Sequence, residues 1–246
     1  MSGVLIYSEK EAKRNTFAIN KFKEELGVTL AINDYDGSAD FIINRTNNYK
    51  IAEKFEKKGI RVFNPSSLSK LANNKQLCYE FMEKNGIEIM LQNAAVLKIR
   101  GGIIYVGEKP IDGHGGQGVV MINEKESFES GFVYQKPCAT LGKDLRVWAI
   151  GNNIITSILR ESDTDFRSNF CLGGRATPYK MNEEEKSLVK RILSLVESDY
   201  IGIDFLFDGG HLIFNEIEDT VGARMVYDKT DIDIIKLYCD YIKKNI

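Results

Sequence analysis

Three carboxylates sit on two neighbouring apolar runs between Gly202 and Gly222, in the stretch GIDFLFDGGHLIFNEIEDTVG. Ile201 to Phe207 and Leu212 to Ile217 flank Gly209-Gly210, the pattern of a β-hairpin. A three-residue loop centred on Gly210 sets Asp204 opposite Glu216, and side-chain alternation puts Glu218 on the face of Glu216. Like charges opposed on a sheet repel, and burying them unpaired costs more still. A divalent cation between them removes both penalties. Hard oxygen donors at this spacing suit magnesium, which keeps waters of its own and also takes substrate phosphates. The alternative is an acidic, solvated sheet edge, against which the apolar neighbours argue.

Two further segments offer cations and backbone donors. Lys109-Pro110-Ile111-Asp112-Gly113-His114-Gly115-Gly116-Gln117-Gly118 lies between two strand-like runs. Its glycines let backbone N–H groups approach an anion closely. No Gly-Lys-Ser/Thr follows, so this is not a Walker loop. The segment reads either as a flap over phosphates with Lys109 beneath it, or as a flexible hairpin tip. Asp165-Phe166-Arg167-Ser168-Asn169 and then Gly173-Gly174-Arg175 place two guanidiniums in turn-rich sequence. They suit bidentate contacts to phosphate or carboxylate, although a polar surface connection has the same composition. Together, a phosphate cradle, paired cations and a carboxylate cluster are the parts that phosphoryl transfer from ATP requires.

These residues must be held by a scaffold. Val4 to Tyr7, Phe41 to Ile43 and Arg61 to Phe63 read as strands, separated by helices over Glu11 to Leu26 and Tyr49 to Lys58. That alternation predicts a layered α/β unit with a parallel sheet. Asn64-Pro65-Ser66-Ser67 marks a boundary, followed by a helix from Asn74 to Lys84. Beyond it, strands gather: a hairpin over Val96 to Val106, then Val119 to Ile122, Phe132 to Gln135, and a hairpin from Arg146 to Leu159 turning at Gly151-Asn152-Asn153. Asn182 caps a helix through Glu197, with Leu188, Ile192 and Leu195 inward, and Asp231 caps the last helix. The division expected is 1–72 as an N-terminal α/β unit and 73–246 as an α+β body. Within that body 73–133 is a small flap subdomain and 134–246 a C-terminal lobe with antiparallel sheets.

The whole chain narrows the classes. Its 246 residues carry 33 Lys plus Arg against 35 Asp plus Glu, a formal net charge of -2. That balance gives no footprint for nucleic acid or an anionic membrane. Cys78, Cys138, Cys171 and Cys239 form no CxxC pair and read as free thiols of a reducing cytoplasm. With only His114 and His211, a multi-histidine metal site is excluded. A homo-oligomer through sheet edges or helices is left open.

In the order Lys75, Lys109 with its glycines, Arg167, then Asp204, Glu216 and Glu218, the chain resembles the ATP-grasp superfamily, and within it the RimK-type carboxylate–amine ligases. The most specific segments are DFRSN followed by GG, GKDLRVWAIGN at 142–152, and GIDFLF with FNEIE. The resemblance implies that Lys75, Lys109, Gly115 and Gly116 bind ATP phosphates. Gln135 and Lys136 would read the adenine, Asp144 would hold the ribose, and Arg167 and Asn169 would bracket the transferring phosphate. Asp204, Glu216 and Glu218 would ligate two magnesium ions, with manganese as a substitute. Arg146, Arg160, Arg175 and Arg224 are candidates for the substrate carboxylate. Glu218-Asp219-Thr220-Val221-Gly222 departs from the family's Asn-x-Ser-Pro-Gly-like run, putting a third carboxylate where an amide is usual. The implied activity joins a carboxylate to an amine, such as an amino acid or a peptide, through an acyl phosphate. A non-catalytic ATP-binding module is the rival.

Overall fold

The computed structural model describes residues 2–90, 106–110, 120–122, 132–163 and 174–246. The hairpin expected from Val96, the glycine segment with Gly115 and Gly116, and Arg167, Asn169 and Cys171 lie outside the described residues.

The N-terminal third forms around β1 (Gly3–Tyr7), whose five residues are all buried. The chain continues through α1 (Glu9–Arg14), α2 (Thr16–Leu26), β2 (Thr29–Ile32), β3 (Phe41–Arg45), α3 (Tyr49–Glu56) and β4 (Arg61–Phe63). The strands make a parallel sheet in the order β2-β1-β3-β4. The single helix expected from Glu11 to Leu26 is two, because the Asn15 side chain donates to the carbonyl of Glu11 (2.8 Å) and competes with helical continuation. β2 was hidden from sequence reading, being a four-residue edge strand with no fully buried position.

Next come α4 (Ser66–Ala72) and α5 (Lys75–Lys84), the latter capped by Asn74. A three-stranded sheet follows, ordered β6 (Val120–Ile122), β5 (Val106–Pro110), β7 (Phe132–Gln135). Lys109 therefore lies within a strand, opposite Val133, rather than after one. The remaining strands are β8 (Thr140–Ile150), β9 (Asn153–Glu161), β10 (Arg175–Pro178), β11 (Tyr200–Asp208) and β12 (His211–Glu218). They form an antiparallel sheet ordered β10-β9-β8-β11-β12. Helices α6 (Glu183–Leu195), α7 (Arg224–Lys229) and α8 (Ile234–Lys244) complete the chain. Asn182 and Glu185 form a reciprocal capping box on α6, whose buried side chains are Glu185, Val189, Ile192 and Leu193, with Leu188 and Leu195 only partly buried. Asp233, not Asp231, caps α8.

Side-chain alternation on β8 separates two cores. Leu145, Val147 and Ala149 pack with α5 and α6, whereas Trp148 and Ile150 pack with α8 and the N-terminal sheet. Arg146 shares the second face, so the site it serves is turned toward the N-terminal sheet. Asn64, buried just after β4, ties the two together. Its amide donates to the carbonyls of Tyr200 and Asp219 (2.8 Å each) and accepts from the N–H groups of Asp199 (2.7 Å) and Tyr200 (2.9 Å). One side chain thus fixes the start of β11 and the end of β12.

Asn64→Ala strands four buried backbone groups, and each such loss costs about 1–3 kcal/mol. Urea unfolding should show at least about 2 kcal/mol of destabilisation. A loss below about 0.5 kcal/mol would show that water replaces the amide at no cost.

Candidate active site

The hairpin reaches the expected pairing by an unexpected route. Its turn is the two-residue Gly209-Gly210, with Asp208 opposite His211, not a three-residue loop. Both glycines have positive φ, 58° and 89°, which a two-residue hairpin turn requires. Continued regularly, that register would put Asp204 opposite Asn215. A β-bulge between Asp204 and Phe205 absorbs Asn215 and brings Glu216 opposite Asp204. The bulge also resets the alternation: Phe214 and Ile217 both enter the core, while Glu216 and Glu218 share the side of Asp204.

One oxygen from each of Asp204, Glu216 and Glu218 lies within 4.8 Å of the others. Asp204 is 2 % exposed. Arg146, directly across the ladder, grips it bidentately (Nε–Oδ1 2.7 Å, Nη2–Oδ2 2.6 Å) and also donates to Glu218 Oε1 (2.6 Å). Arg160 reaches Asp204 Oδ2 (2.8 Å) while gripping Asp144 through two bonds of 2.5 and 2.8 Å. Lys75 Nζ, in the first turn of α5, is 3.4 Å from Glu216 Oε2.

Burial pushes the Asp204 carboxyl up, but the Arg146 and Arg160 guanidiniums outweigh it and bring it down to about 2. Burial raises Glu218 to about 7; Arg146 opposes that rise, while Asp204 and Glu216 add to it. Burial alone would pull Arg146 down, yet Asp204 and Glu218 raise it well above the ordinary arginine range. Asp219 takes no part in this cluster. Its carboxylate accepts from Asn73 Nδ2 (3.1 Å), and burial raises it to about 6.

The other residues singled out in the sequence are more dispersed. Gln135 ends β7 and is buried, and Lys136 beside it is exposed. Arg175 is exposed and pairs with Asp163 (3.2 Å). Arg224 donates to the carbonyl of Arg14 (3.1 Å). Arg146 and Arg160, named for a substrate carboxylate, are here committed to the protein's own carboxylates.

A cleft of about 1640 Å³ opens beside Glu218, Arg146 and Arg160. Its far wall is made by the N-terminal sheet, including Arg45, Thr46 and Asn48. Sequence reading passed over Arg45 and took Asn64 only as a boundary; the available signal was an amide or charge directly after apolar strand residues, Asn44-Arg45 after Ile42-Ile43 and Asn64 after Val62-Phe63.

The donor set fits a hard cation. Ligand atoms across an octahedral magnesium stand roughly 4 Å apart, so a spread of 4.8 Å is closed by small side-chain rotations or by a second ion. Asp204 is ionised at neutral pH, and no nitrogen or sulfur donor competes within the cluster. Asp204, Glu216 and Glu218 would hold the ion, sharing Asp204 with the arginines.

The arrangement is that of the ATP-grasp enzymes, ATP-dependent ligases built on this fold. The sequence profile of the RimK-like ATP-grasp domain matches residues 72–242, and the chain belongs to that family. A probable alpha-L-glutamate ligase of Maridesulfovibrio salexigens is 26% identical over 215 residues, covering 79% of this chain and 71% of its own. The glutamate–LysW ligase ArgX of Sulfurisphaera tokodaii is 25% identical over 253 residues, covering 92% and 88%. Among solved structures, the ATP-grasp ligase PsnB with its minimal precursor superposes over 100% of both chains, with a TM-score of 0.72 at 16% identity. D-alanine–D-alanine ligase of Bacillus anthracis, complexed with ATP, covers 99% of this chain and 96% of its own, with a TM-score of 0.69 at 14% identity. Among the described residues, no helix is long and apolar enough to cross a membrane.

Arg146→Met removes the cation between buried Asp204 and half-buried Glu218, and breaking a buried pair such as Arg146–Asp204 costs about 3–5 kcal/mol. The metal-free variant should unfold at correspondingly lower urea, and added magnesium should restore more of its stability than it adds to the wild type. Equal magnesium effects on both proteins would show that Arg146 and the ion do not balance the same charges.

Proposed function

We propose that this chain joins a carboxylate to an amine by way of an acyl phosphate, adding an amino acid to a small acid, a peptide or a protein terminus. The observation that carries the reading is the convergence of Asp204, Glu216 and Glu218, with Lys75 at their edge and Glu218 lining an open cleft. Three carboxylates turned inward in this way have no structural use that an apolar hairpin would not serve better.

In the reaction, a carboxylate oxygen of the acid attacks the terminal phosphorus of ATP and ADP leaves. The amine nitrogen then attacks the acyl carbon, phosphate leaves, and the amine proton passes to solvent or a nearby carboxylate. Lys75 and Lys109, with Gly115 and Gly116, bind the nucleotide's phosphates. Arg167 and Asn169 flank the group in transfer. Gln135 and Lys136 receive the adenine, and Asp144 the ribose, sharing its oxygens with Arg160. Asp204, Glu216 and Glu218 would hold two magnesium ions, which would supply charge neutralisation on the phosphoryl oxygens. Residues 1–72 form one domain and 73–246 the ATP-grasp body, with the acid and amine meeting in the cleft between them. The relatives' glutamate substrates make an acidic amino acid a natural first amine to try.

Asp204→Asn and Glu216→Gln should each lower magnesium-dependent ADP release by about two to three orders of magnitude. Hydroxylamine in place of the amine should give a hydroxamate. Undiminished turnover in both variants would sink the metal assignment, and ADP release with every active acid but no hydroxamate would sink the acyl phosphate.

A further inference from the structure

The cleft beside Glu218 has a second wall made from the carboxyl ends of parallel strands. Tyr7 ends β1, Asn33 follows β2 and Arg45 ends β3, and all three line it. Open parallel sheets receive their ligands outside these strand ends. The residue that stands out there is Arg45.

Arg45 is 8 % exposed. One Nη donates to the carbonyl of Val221 (2.5 Å), and the guanidinium lies 5.4 Å from the centre of the Tyr200 ring. Its Nε has no hydrogen-bond partner, and among the described residues no carboxylate pairs with it. Arg146 and Arg160 differ in being fully committed to Asp204, Glu218 and Asp144. Tyr7 shares a hydrogen bond with Arg45 and Asp219 offers opposite charge only from beyond ion-pair distance, and a buried guanidinium so placed is costly unless an anion arrives to meet it. Its fork of donors suits a carboxylate or a phosphate.

The surroundings point the same way. Lys10, Arg14, Lys70 and Arg224 line the same cleft, and Arg224 is tied to the backbone of Arg14 (3.1 Å). Glu11, Glu218 and Asp219 also line the cleft, but Glu11 pairs with Arg14 (2.9 Å), Glu218 with Arg146 (2.6 Å), and Asp219 accepts from Asn73 (3.1 Å). This wall is positive in a chain whose net charge is -2, so the charge is local to the cleft. Arg45 also anchors Val221, three residues beyond Glu218, and three residues span at most about 10 Å. Arg45 and Glu218 thus line one cleft from neighbouring points of the same segment, so one bound molecule can face both.

We propose that Arg45 receives a second anionic group, carboxylate or phosphate, on the acid that this enzyme activates, so that the acid substrate is at least dianionic. This rests on the ligase reading above, and it places the specificity for that acid on the N-terminal sheet. The reacting carboxylate faces the nucleotide side of the cleft, and the second anion meets Arg45 with Arg224 and Arg14 around it.

The chain's single tryptophan gives a direct readout. Trp148 lines the cleft and its Nε1 donates to the carbonyl of Gly222 (3.0 Å), next to the residue that Arg45 holds. Glutarate, butyrate and inorganic phosphate are titrated into the full-length protein loaded with magnesium and a non-hydrolysable ATP analogue, following Trp148 fluorescence. Glutarate should bind at least about tenfold more tightly than butyrate, the loss expected when a buried charge pair lacks one member. Arg45→Met should abolish that preference, while Arg45→Lys should keep part of it and analogue binding should stay unchanged. Competition by phosphate would make the second anion a phosphate, and its absence a carboxylate. If Arg45→Met does not unfold cooperatively, Arg45→Lys and Arg224→Gln decide, each expected to weaken glutarate by a few-fold or more. Equal binding of glutarate and butyrate to the wild type, or a preference that survives these substitutions, overturns the proposal. Failure of the wild type to bind the analogue with magnesium would instead overturn the ligase reading itself.

Discussion

Asp204 is an ionised carboxylate buried inside a five-stranded sheet, and the rest of the architecture follows from that demand for compensating charge. An uncompensated charge there would be neutralised or the hairpin would open. The sheet answers with guanidiniums from the two strands on its β8 side. Arg146 faces Asp204 across one ladder, and Arg160 reaches it from β9. Both cations are buried as well, so neither is stable without the carboxylates. Cations on β8 and β9 thus face carboxylates on β8, β11 and β12, and each ion makes its partner tolerable. The same arrangement leaves Glu216 and Glu218 on the open side of Asp204, where hard cations and phosphate oxygens can be received.

Holding this network in register takes elements distant in sequence. The bulge at Asn215 brings Glu216 round to Asp204 while keeping Phe214 and Ile217 in the core. Asn64, after the last parallel strand, clamps both ends of the hairpin through four hydrogen bonds. Because that clamp comes from the N-terminal sheet, the carboxylate cluster and the wall bearing Arg45 share one frame. On the proposed reading, activation chemistry and recognition of the acid lie on opposite sides of a single cleft.

Much of this was legible in the sequence. Apolar runs around Gly209-Gly210 mark the hairpin, and the facing of Asp204 and Glu216 follows from counting residues. The βα alternation of the first third announces a parallel sheet. What could not be read was set by competition between local options. The Asn15 side chain outbid the next helical turn, splitting one helix into two. The short edge strand β2 has too little burial to show a period. The bulge was concealed because a three-residue loop and a two-residue turn with one extra strand residue give the same pairing. The spacing of Phe214 and Ile217, both inward at three residues apart, was the trace it left. Arg146 and Arg160 were named for a substrate carboxylate from their charge, which does not show that Asp204, Glu218 and Asp144 also face them. Arg45 was missed for the converse reason: the strand-end position shows in sequence, but not that no carboxylate among the described residues hydrogen-bonds the guanidinium there.

The central claim is that the three carboxylates are a metal seat whose charge the arginines balance until an ion arrives. Anomalous diffraction from crystals soaked with manganese and a non-hydrolysable ATP analogue tests it most directly. The account predicts a strong anomalous peak bonded to oxygens of Asp204, Glu216 and Glu218, with Arg146 drawn off Glu218 and still on Asp204. A peak elsewhere, or none while Arg146 stays clasped to both carboxylates, would contradict it.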